Sequence, residues 1–186
     1  TLFIENNLHQ EYSLYANGGF GKQEMFPSSD IDISIIKNSN DIKNFDAIEK
    51  FIAKLWDSGF KIGHSVRTIK EVNQITKEDP KEFTSYLTNR PIITDQKINT
   101  KLQRTLLDKW PKKKFFKAKI LEQELRHKSF FSTQYNLEPN LKESPGGLRD
   151  FQNALWILHH CFELWDGVSI LQSSDFGSLY KGTINS

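Results

Sequence analysis

Two acidic residues two positions apart, Asp30 and Asp32, are the clearest indication of chemistry in the sequence. They begin the row Asp-Ile-Asp-Ile-Ser-Ile-Ile, whose alternation of polar and apolar residues predicts a half-buried strand over 30–36. On such a strand both carboxylates point to the same side, with Cα atoms about 7 Å apart. Two negative charges at that distance repel each other by roughly 2 kcal/mol at an effective dielectric constant near 20. A bound Mg²⁺ ion, which takes carboxylate oxygens together with substrate phosphates, would relieve this repulsion, so both residues are candidate metal ligands and catalytic residues.

A glycine-rich turn precedes the two aspartates. The β-prone stretch 12–17 runs into Gly18, Gly19 and Gly21, which predicts a strand that ends in a tight turn. Backbone amides without side chains can approach a triphosphate closely, and Lys22 would add a mobile positive charge. The pattern is neither a Walker loop nor a dinucleotide-binding turn. An alternative interpretation remains open, in which the glycines form a plain turn and the aspartates are solvated surface acids.

The rest of the chain must supply the elements that position these residues. Apolar periodicity and end signals predict alternating helix and strand over roughly 12–95 and mostly helix beyond it. Helices are predicted at 43–58, 68–78, 80–87, 96–109, 112–133 and 145–164, and further strands at 60–67 and 90–94. The predicted end signals are Gly59 as a helix stop, Thr68 with Glu71 as a capping box, Asp95 as an N-cap, and Ser144 with Pro145 as the start of the last helix.

Composition excludes several classes of protein. The 186 residues carry 25 Lys and Arg against 23 Asp and Glu, a net charge of +2, which does not favour nucleic acid as a partner. A lysine-rich stretch over 109–119 is interpreted as a solvated helix face. Its aromatic residues do not follow the pattern expected for single-strand binding, so nucleic acid is not favoured there either. No apolar run approaches the roughly 20 residues that span a bilayer, so no membrane association is expected. The single cysteine, Cys161, suits a reducing cytoplasm, and we expect it to be a buried small residue.

The stretch G-G-F-G-K-Q-E-M-F-P-S-S-D-I-D resembles the signature of the polymerase-β-like nucleotidyltransferase superfamily, a glycine turn followed by a D-h-D strand in which h is apolar. Three further rows, H-S-V-R-T (64–68), E-Q-E-L-R-H (122–127) and Y-N-L-E-P-N-L-K-E-S-P-G-G-L-R-D (135–150), resemble the bacterial PII uridylyltransferases, bifunctional enzymes of nitrogen control. The resemblance covers residues 12–165, nearly the whole chain.

This resemblance implies an α/β fold of the α+β type, with a small mixed sheet and flanking helices followed by a helical segment. It implies a nucleotidyltransferase core over 1–95 and a helical segment over 96–186. The implied reaction transfers UMP from UTP to a tyrosine of the PII signalling protein in the cytoplasm, with Mg²⁺ on Asp30 and Asp32 and the UTP phosphates on Gly18 and Gly19. Lys142 and Arg149, which flank the Pro-Gly-Gly turn, are expected to form an anion pocket, although an ordinary capped helix with surface charges is the alternative.

The sequence departs from the family pattern at Thr88. The resemblance implies a third carboxylate just before an arginine, but the corresponding row is Leu87-Thr88-Asn89-Arg90. A hydroxyl cannot supply the missing negative charge, so we expect low or absent transfer unless Asp95 or Glu138 substitutes. The chain could then be a nucleotidyltransferase fold retained as a binding module.

A second departure concerns the histidines. The family's uridylyl-removing domain contains a His-Asp dipeptide, and none of the five histidines here precedes an aspartate. We therefore expect this sequence, which starts at Thr1 without a methionine, to be a fragment that lacks the removal chemistry and the glutamine-sensing domains.

Overall fold

A four-stranded sheet carries the predicted site. A computed structural model describes residues 2–25, 29–39, 45–107, 109–132 and 140–162. The strands are β1 (Tyr12–Ala16), β2 (Ile31–Lys37), β3 (Ile62–Thr68) and β4 (Arg90–Ile93), in the order β3-β2-β1-β4. β1 pairs antiparallel with β2 and β4, whereas β2 pairs parallel with β3. The sheet is therefore mixed, as the sequence predicted.

Eight α-helices are present in the described ranges. They are α1 (Leu2–Glu5), α2 (Gly18–Lys22), α3 (Phe45–Asp57), α4 (Ile69–Glu78), α5 (Pro80–Leu87), α6 (Gln96–Leu106), α7 (Lys112–Ser132) and α8 (Leu148–Phe162), with a 3₁₀ turn at Leu8–Gln10. Three predicted end signals are confirmed. Thr68 and Glu71 form a reciprocal capping box, Asp95 accepts hydrogen bonds from the amides of Lys97 and Ile98, and Gly59 follows α3 with a φ of +80°. None of the helices in the described ranges is long and apolar enough to cross a membrane.

The hydrophobic core lies between one face of the sheet and α3. Ile33 and Ile35 of β2 point to this face and pack with Ile48, Phe51 and Ile52 of α3. The spacing of three and four residues places the α3 side chains on one helix face, as the periodicity predicted. This packing buries one face of β2, which is an interior strand of the sheet.

The opposite face of β2 differs from the prediction of a half-buried strand. Ser34 and Ile36, on the face predicted to be exposed, are 1% and 0% exposed. Ser34 has polar partners there, because the Asn17 side-chain amide donates to its hydroxyl and Ser65 lies 3.2 Å away. The alternating pattern is preserved, but only the start of β2, at Asp32, faces solvent. The Asp32 carboxylate therefore lies near the N-terminal end of a strand whose next four residues are buried.

The chain divides into two compact units, Thr1–Lys109 and Trp110–Ser186. The first contains the sheet together with α6, which packs on α4 and α5. The second contains α7 and α8, which pack against each other. The division at residue 95 into a core and a helical segment stays a prediction about domains.

The start of the last helix differs from the prediction. α8 begins at Leu148, three residues after Pro145, and neither Ser144 nor Pro145 caps it. Asn140 instead accepts hydrogen bonds from the amides of Lys142 and Glu143, which folds residues 141–147 into turns. Gly146 has a φ of +76°, a conformation that a continuing helix does not contain.

Candidate active site

Asp32 is held between two glycines. The register of β2 and β3 pairs Asp32 with Gly63. An ideal Cβ at Gly63 would lie 2.5 Å from Oδ1 of Asp32, and one at Gly18 would lie 3.0 Å from Oδ2. The carboxylate therefore occupies a space that exists because neither neighbour has a side chain. The sheet register and the glycine turn bring Gly18, Asp32 and Gly63 together.

Hydrogen bonds join the glycine turn to β2. The Asn17 amide donates to the carbonyl of Asp32 at 2.8 Å, and the Gly21 amide donates to the carbonyl of Asn17 at 2.8 Å. Gly18 has a φ of +54°, in the left-handed region that favours glycine. The turn therefore depends on glycine both for its backbone conformation and for its approach to Asp32.

Arg90 holds the other end of the turn. Its guanidinium donates to the carbonyls of Gly21 at 3.2 Å and Phe20 at 3.3 Å, and it lies 5.7 Å from the centre of the Phe20 ring. These carbonyls end α2, so the arginine neutralises their partial negative charge. The sequence indicates Arg90 as the start of a strand and as the arginine of the family row, but nothing in the local pattern indicates a partner 69 residues away.

The remaining predicted ligands of this region lie around the turn. Asp30 immediately precedes β2, and its side chain is exposed, as is that of Asp32. Lys22 is the last residue of α2 and is partly buried. Asp30 and Asp32 are two exposed carboxylates that lie two positions apart in the sequence. They fit the chemistry of Mg²⁺, which commonly binds one or two protein carboxylates and completes its coordination shell with water and phosphate. Among the described residues, no cluster of three or more His, Cys, Asp or Glu side chains that could hold a metal is present.

Thr88 lies beside the glycine turn but not on a strand. It ends α5, two residues before β4, and its hydroxyl donates to the carbonyls of Thr84 and Ser85 at 3.4 Å each. Its carbonyl packs on Gly21, where an ideal Cβ would be 2.6 Å away. The residue therefore contacts the turn through its backbone, while its side chain is directed back to α5.

Asp95 and Glu138 are the two acids predicted to replace the missing carboxylate. Asp95 already accepts two backbone hydrogen bonds as the N-cap of α6, at 2.8 Å and 3.3 Å. Glu138 lies outside the described residues. A replacement by Asp95 would therefore require the loss of a helix cap.

The second unit contains a network centred on Asp150. This carboxylate accepts hydrogen bonds from the Gly146 amide at 2.7 Å, from His127 at 2.8 Å and from Arg126. Partial burial tends to raise the pKa of Asp150, but the three donors outweigh it, so that the pKa is lowered from its ordinary value. Asp150 thus fixes the Pro-Gly-Gly turn onto α7, a role that the sequence did not indicate.

Lys142 and Arg149 flank that turn, as predicted. Lys142 is exposed, whereas Arg149 donates to Glu143 at 3.3 Å and to Gln152 at 3.2 Å. Arg149 is therefore already paired with an acid, so its charge is partly compensated.

The lysine-rich stretch is a solvated face only in part. Lys119 has 0% of its side chain exposed, lies 2.7 Å from Glu122 and stands 4.5 Å from the centre of the Trp156 ring. Burial lowers the pKa of Lys119, and the ion pair with Glu122 opposes this effect. Cys161, in the same unit, is buried as predicted, and burial raises the pKa of its thiol.

A mixed sheet with a glycine turn placed against a strand aspartate is the arrangement of a nucleotidyltransferase-like fold. The chain matches relatives that agree with this class. The family described as GlnD PII-uridylyltransferase matches residues 114–181. The chain is related to the bifunctional uridylyltransferase/uridylyl-removing enzymes, as the sequence motifs indicated.

The relatives extend well beyond this chain. The enzyme of Pseudomonas fluorescens strain SBW25 is 41% identical over 150 residues, which cover 79% of this chain and 17% of the relative. That of Hydrogenovibrio crunogenus is 41% identical over 172 residues, 91% of this chain and 19% of the relative. That of Nitrosococcus oceani is 39% identical over 166 residues, which cover 88% of this chain and 19% of the relative. The chain therefore spans less than a fifth of the length of these relatives.

Proposed function

We propose that this chain is the uridylyl-transferring part of such an enzyme, and that it moves UMP from UTP to a tyrosine of the PII protein in the cytoplasm. The observation that carries the proposal is the position of Asp32, an exposed carboxylate at the end of a buried strand, between Gly18 and Gly63. The names of the relatives supply the nucleotide and, through the family description, the acceptor.

In this proposal Asp30 and Asp32 hold Mg²⁺, and the amides of Gly18 and Gly19 face the phosphates of UTP. Lys22 adds a positive charge at the end of the same turn. The metal, when bound, would neutralise phosphate charge and favour the ionised form of the attacking hydroxyl. Lys142 and Arg149 are proposed as anion ligands within the second unit.

The bond changes are those of a single displacement. The tyrosine oxygen forms a bond to the α-phosphorus of UTP, the bond from that phosphorus to the bridging oxygen breaks, and pyrophosphate leaves. The phenolic proton passes to solvent or to a carboxylate. Because the protein forms no bond to phosphorus, its residues act by positioning and charge compensation.

The experiment is incorporation of labelled UMP into purified PII protein. We expect incorporation that requires Mg²⁺ and is lost in Asp32→Asn. The matched control is Asp46→Asn, an exposed aspartate on α3, which should leave incorporation at the wild-type level. Equal incorporation by the Asp32 variant and wild type would contradict the assignment.

A second candidate function is favoured by the orientation of Thr88. Its hydroxyl is bonded to α5 carbonyls, and no third acid stands at this position. The fold would then bind Mg²⁺ and UTP without transferring UMP. A thermal shift with Mg²⁺ and UTP, combined with no labelled PII protein, would favour this candidate, whereas a larger shift with ATP would reject uridine specificity.

A further inference from the structure

The two edges of the sheet differ in their capacity to accept another strand. β4, at one edge, has four residues, contains Pro91 and meets β1 with a register shift between Leu14 and Tyr15. Short length, proline and a bulge are features that block pairing at an edge. β3, at the other edge, has seven residues without proline or lysine, and its register with β2 is continuous over all seven pairs.

Among the described residues, no strand uses the backbone groups on the outer edge of β3. The Ile31 amide donates to the carbonyl of Lys61 at 2.8 Å. Because residues of a parallel strand alternate between facing one neighbour and the other, Gly63 and Ser65 direct their backbone groups to β2, and Ile62 and His64 direct theirs outward. Among the described residues no further strand pairs with this edge, and both Gly63 and His64 are exposed.

Because Gly63 has no side chain, the space between the outer edge of β3 and the Asp32 carboxylate is open. A Cβ there would lie on the same face as the Asp32 carboxylate and only 2.5 Å from it. Any side chain at position 63 would separate the outer edge from Asp32, whereas glycine leaves the way clear. A residue of an added strand placed opposite Gly63 would have its side chain on the same face as Asp32, since directly opposite residues share a face. Because glycine leaves the space above β3 empty, a long side chain there could lean across it toward Asp32.

The distance selects a long hydroxyl-bearing side chain. Strands lie about 4.8 Å apart, so an added strand would be roughly 9.6 Å from β2. Tyrosine is the longest of the hydroxyl-bearing side chains and covers more of this span than serine or threonine. The Asp32 side chain, with the ion that it would hold in the proposed function, would cover the rest of the distance. The edge thus fits an extended segment with a tyrosine opposite Gly63.

We propose that the outer edge of β3 binds the acceptor protein as an added strand and places its tyrosine over Gly63 beside Asp32. This inference rests on the proposed function, because it assigns the binding mode of the acceptor in that reaction. Main-chain hydrogen bonds to Ile62, His64 and Val66 would give affinity, and the open position at Gly63 would give selectivity for tyrosine.

The test replaces the outward backbone donor at residue 64. His64→Pro removes an N–H that faces away from β2, so the ladder between β2 and β3 is retained. His64→Ala is the matched control, because both variants lose the imidazole ring, which makes an edge-to-face contact with Trp56 at 5.3 Å between ring centres. Binding of fluorescently labelled PII protein in the presence of Mg²⁺ and UTP is measured by anisotropy, and the UTP-induced thermal shift reports whether the nucleotide site is intact.

We expect His64→Pro to weaken PII binding at least tenfold relative to His64→Ala, with equal UTP-induced thermal shifts. Equal PII affinities of the two variants would overturn the edge proposal and leave the proposed function standing. A wild-type chain that neither binds nor modifies PII protein would overturn both.

A second measurement leaves the protein unchanged and so decides the matter if His64→Pro does not fold. A synthetic peptide that copies the tyrosine segment of PII protein is N-methylated at alternate amides, in two complementary sets. Only one set can face β3, so we expect one peptide to lose binding and the other to keep it. Equal binding by the two methylated peptides would overturn the proposal.

Discussion

Asp32 and Gly63 face each other across β2 and β3, and Oδ1 of the aspartate lies 2.5 Å from where a side chain at residue 63 would begin. Real Cβ atoms do not approach an oxygen this closely, so the position of the carboxylate requires glycine at its neighbour. The relationship links two residues that are 31 positions apart in sequence and makes Gly63 part of the candidate site.

Gly63→Ala should therefore displace the Asp32 carboxylate. The exposed side chain can turn away at a cost of about 1 kcal/mol for an unfavourable rotamer, so the fold should persist. We expect at least tenfold weaker binding of Mg²⁺ with UTP, measured by titration calorimetry. Lys61→Ala, an exposed change just before β3, should bind like wild type. Unchanged affinity in Gly63→Ala would show that Asp32 does not hold the metal in its present position.

Thr88→Glu should raise UMP transfer. The substitution supplies a carboxylate at the residue whose backbone contacts the glycine turn. It also removes the two 3.4 Å hydrogen bonds that direct the Thr88 hydroxyl back to α5, so the longer glutamate side chain can turn toward the site. We expect kcat to increase by about tenfold or more, which corresponds to about 1.4 kcal/mol of activation free energy. Thr88→Gln has a similar shape without the charge and should not increase kcat. A wild-type chain that already transfers UMP at the rate of its relatives would refute this interpretation of Thr88.

Arg90→Ala should loosen the glycine turn without touching the nucleotide. The carbonyls of Phe20 and Gly21 would lose their guanidinium partner, and Arg90→Lys would restore the charge but not both hydrogen bonds. We expect a UTP dissociation constant about tenfold higher for alanine, with lysine intermediate. That order, read from fluorescence titration, distinguishes positioning from simple charge. Arg104→Ala, on the exposed side of α6, should have no effect.

Asp150 should make the second unit sensitive to acid. Its pKa is lowered in the folded state from an ordinary value of 3.8, so its contribution to stability is present above that value. The contribution is lost as the pH falls through the lowered pKa, when the carboxyl group becomes protonated and its bonds to Arg126 and His127 weaken. Melting temperatures of wild type and Asp150→Asn should therefore differ clearly at neutral pH and converge in acid, once the pH has fallen through the lowered pKa of Asp150.

The exposed Asp46→Asn variant serves as the control for this acid series. Its melting temperature should follow that of wild type throughout. A difference between wild type and Asp150→Asn that persists undiminished at low pH would show that the asparagine acts by a packing defect and not by loss of charge.

The elements were predictable because their signals are local. Alternation over 30–36, helical spacing over 43–58, and the caps at Thr68 and Asp95 each depend on residues that are close in sequence. Among the described residues, the structure has β2 at Ile31–Lys37, α3 at Phe45–Asp57 and both caps. The start of α8 was not predicted, because the Asn140 side chain and a positive φ at Gly146 compete with the cap at Ser144. The sequence offers two possible starts for this helix, and its residue types do not show which of the two is used.

The sequence alone determined the candidate chemistry, because a glycine turn followed by two aspartates on one strand face is a short-range pattern that carries its own spacing. Only the tertiary structure decided what surrounds it. Gly63 lies against Asp32 because β2 and β3 pair in one register. Arg90 reaches the glycine turn because β4 pairs with β1 on the side away from β2. Among the described lysines of its stretch, Lys119 alone is fully buried, because α8 packs over it. Pairing and packing join residues distant in sequence, and no local pattern records which ones they will be.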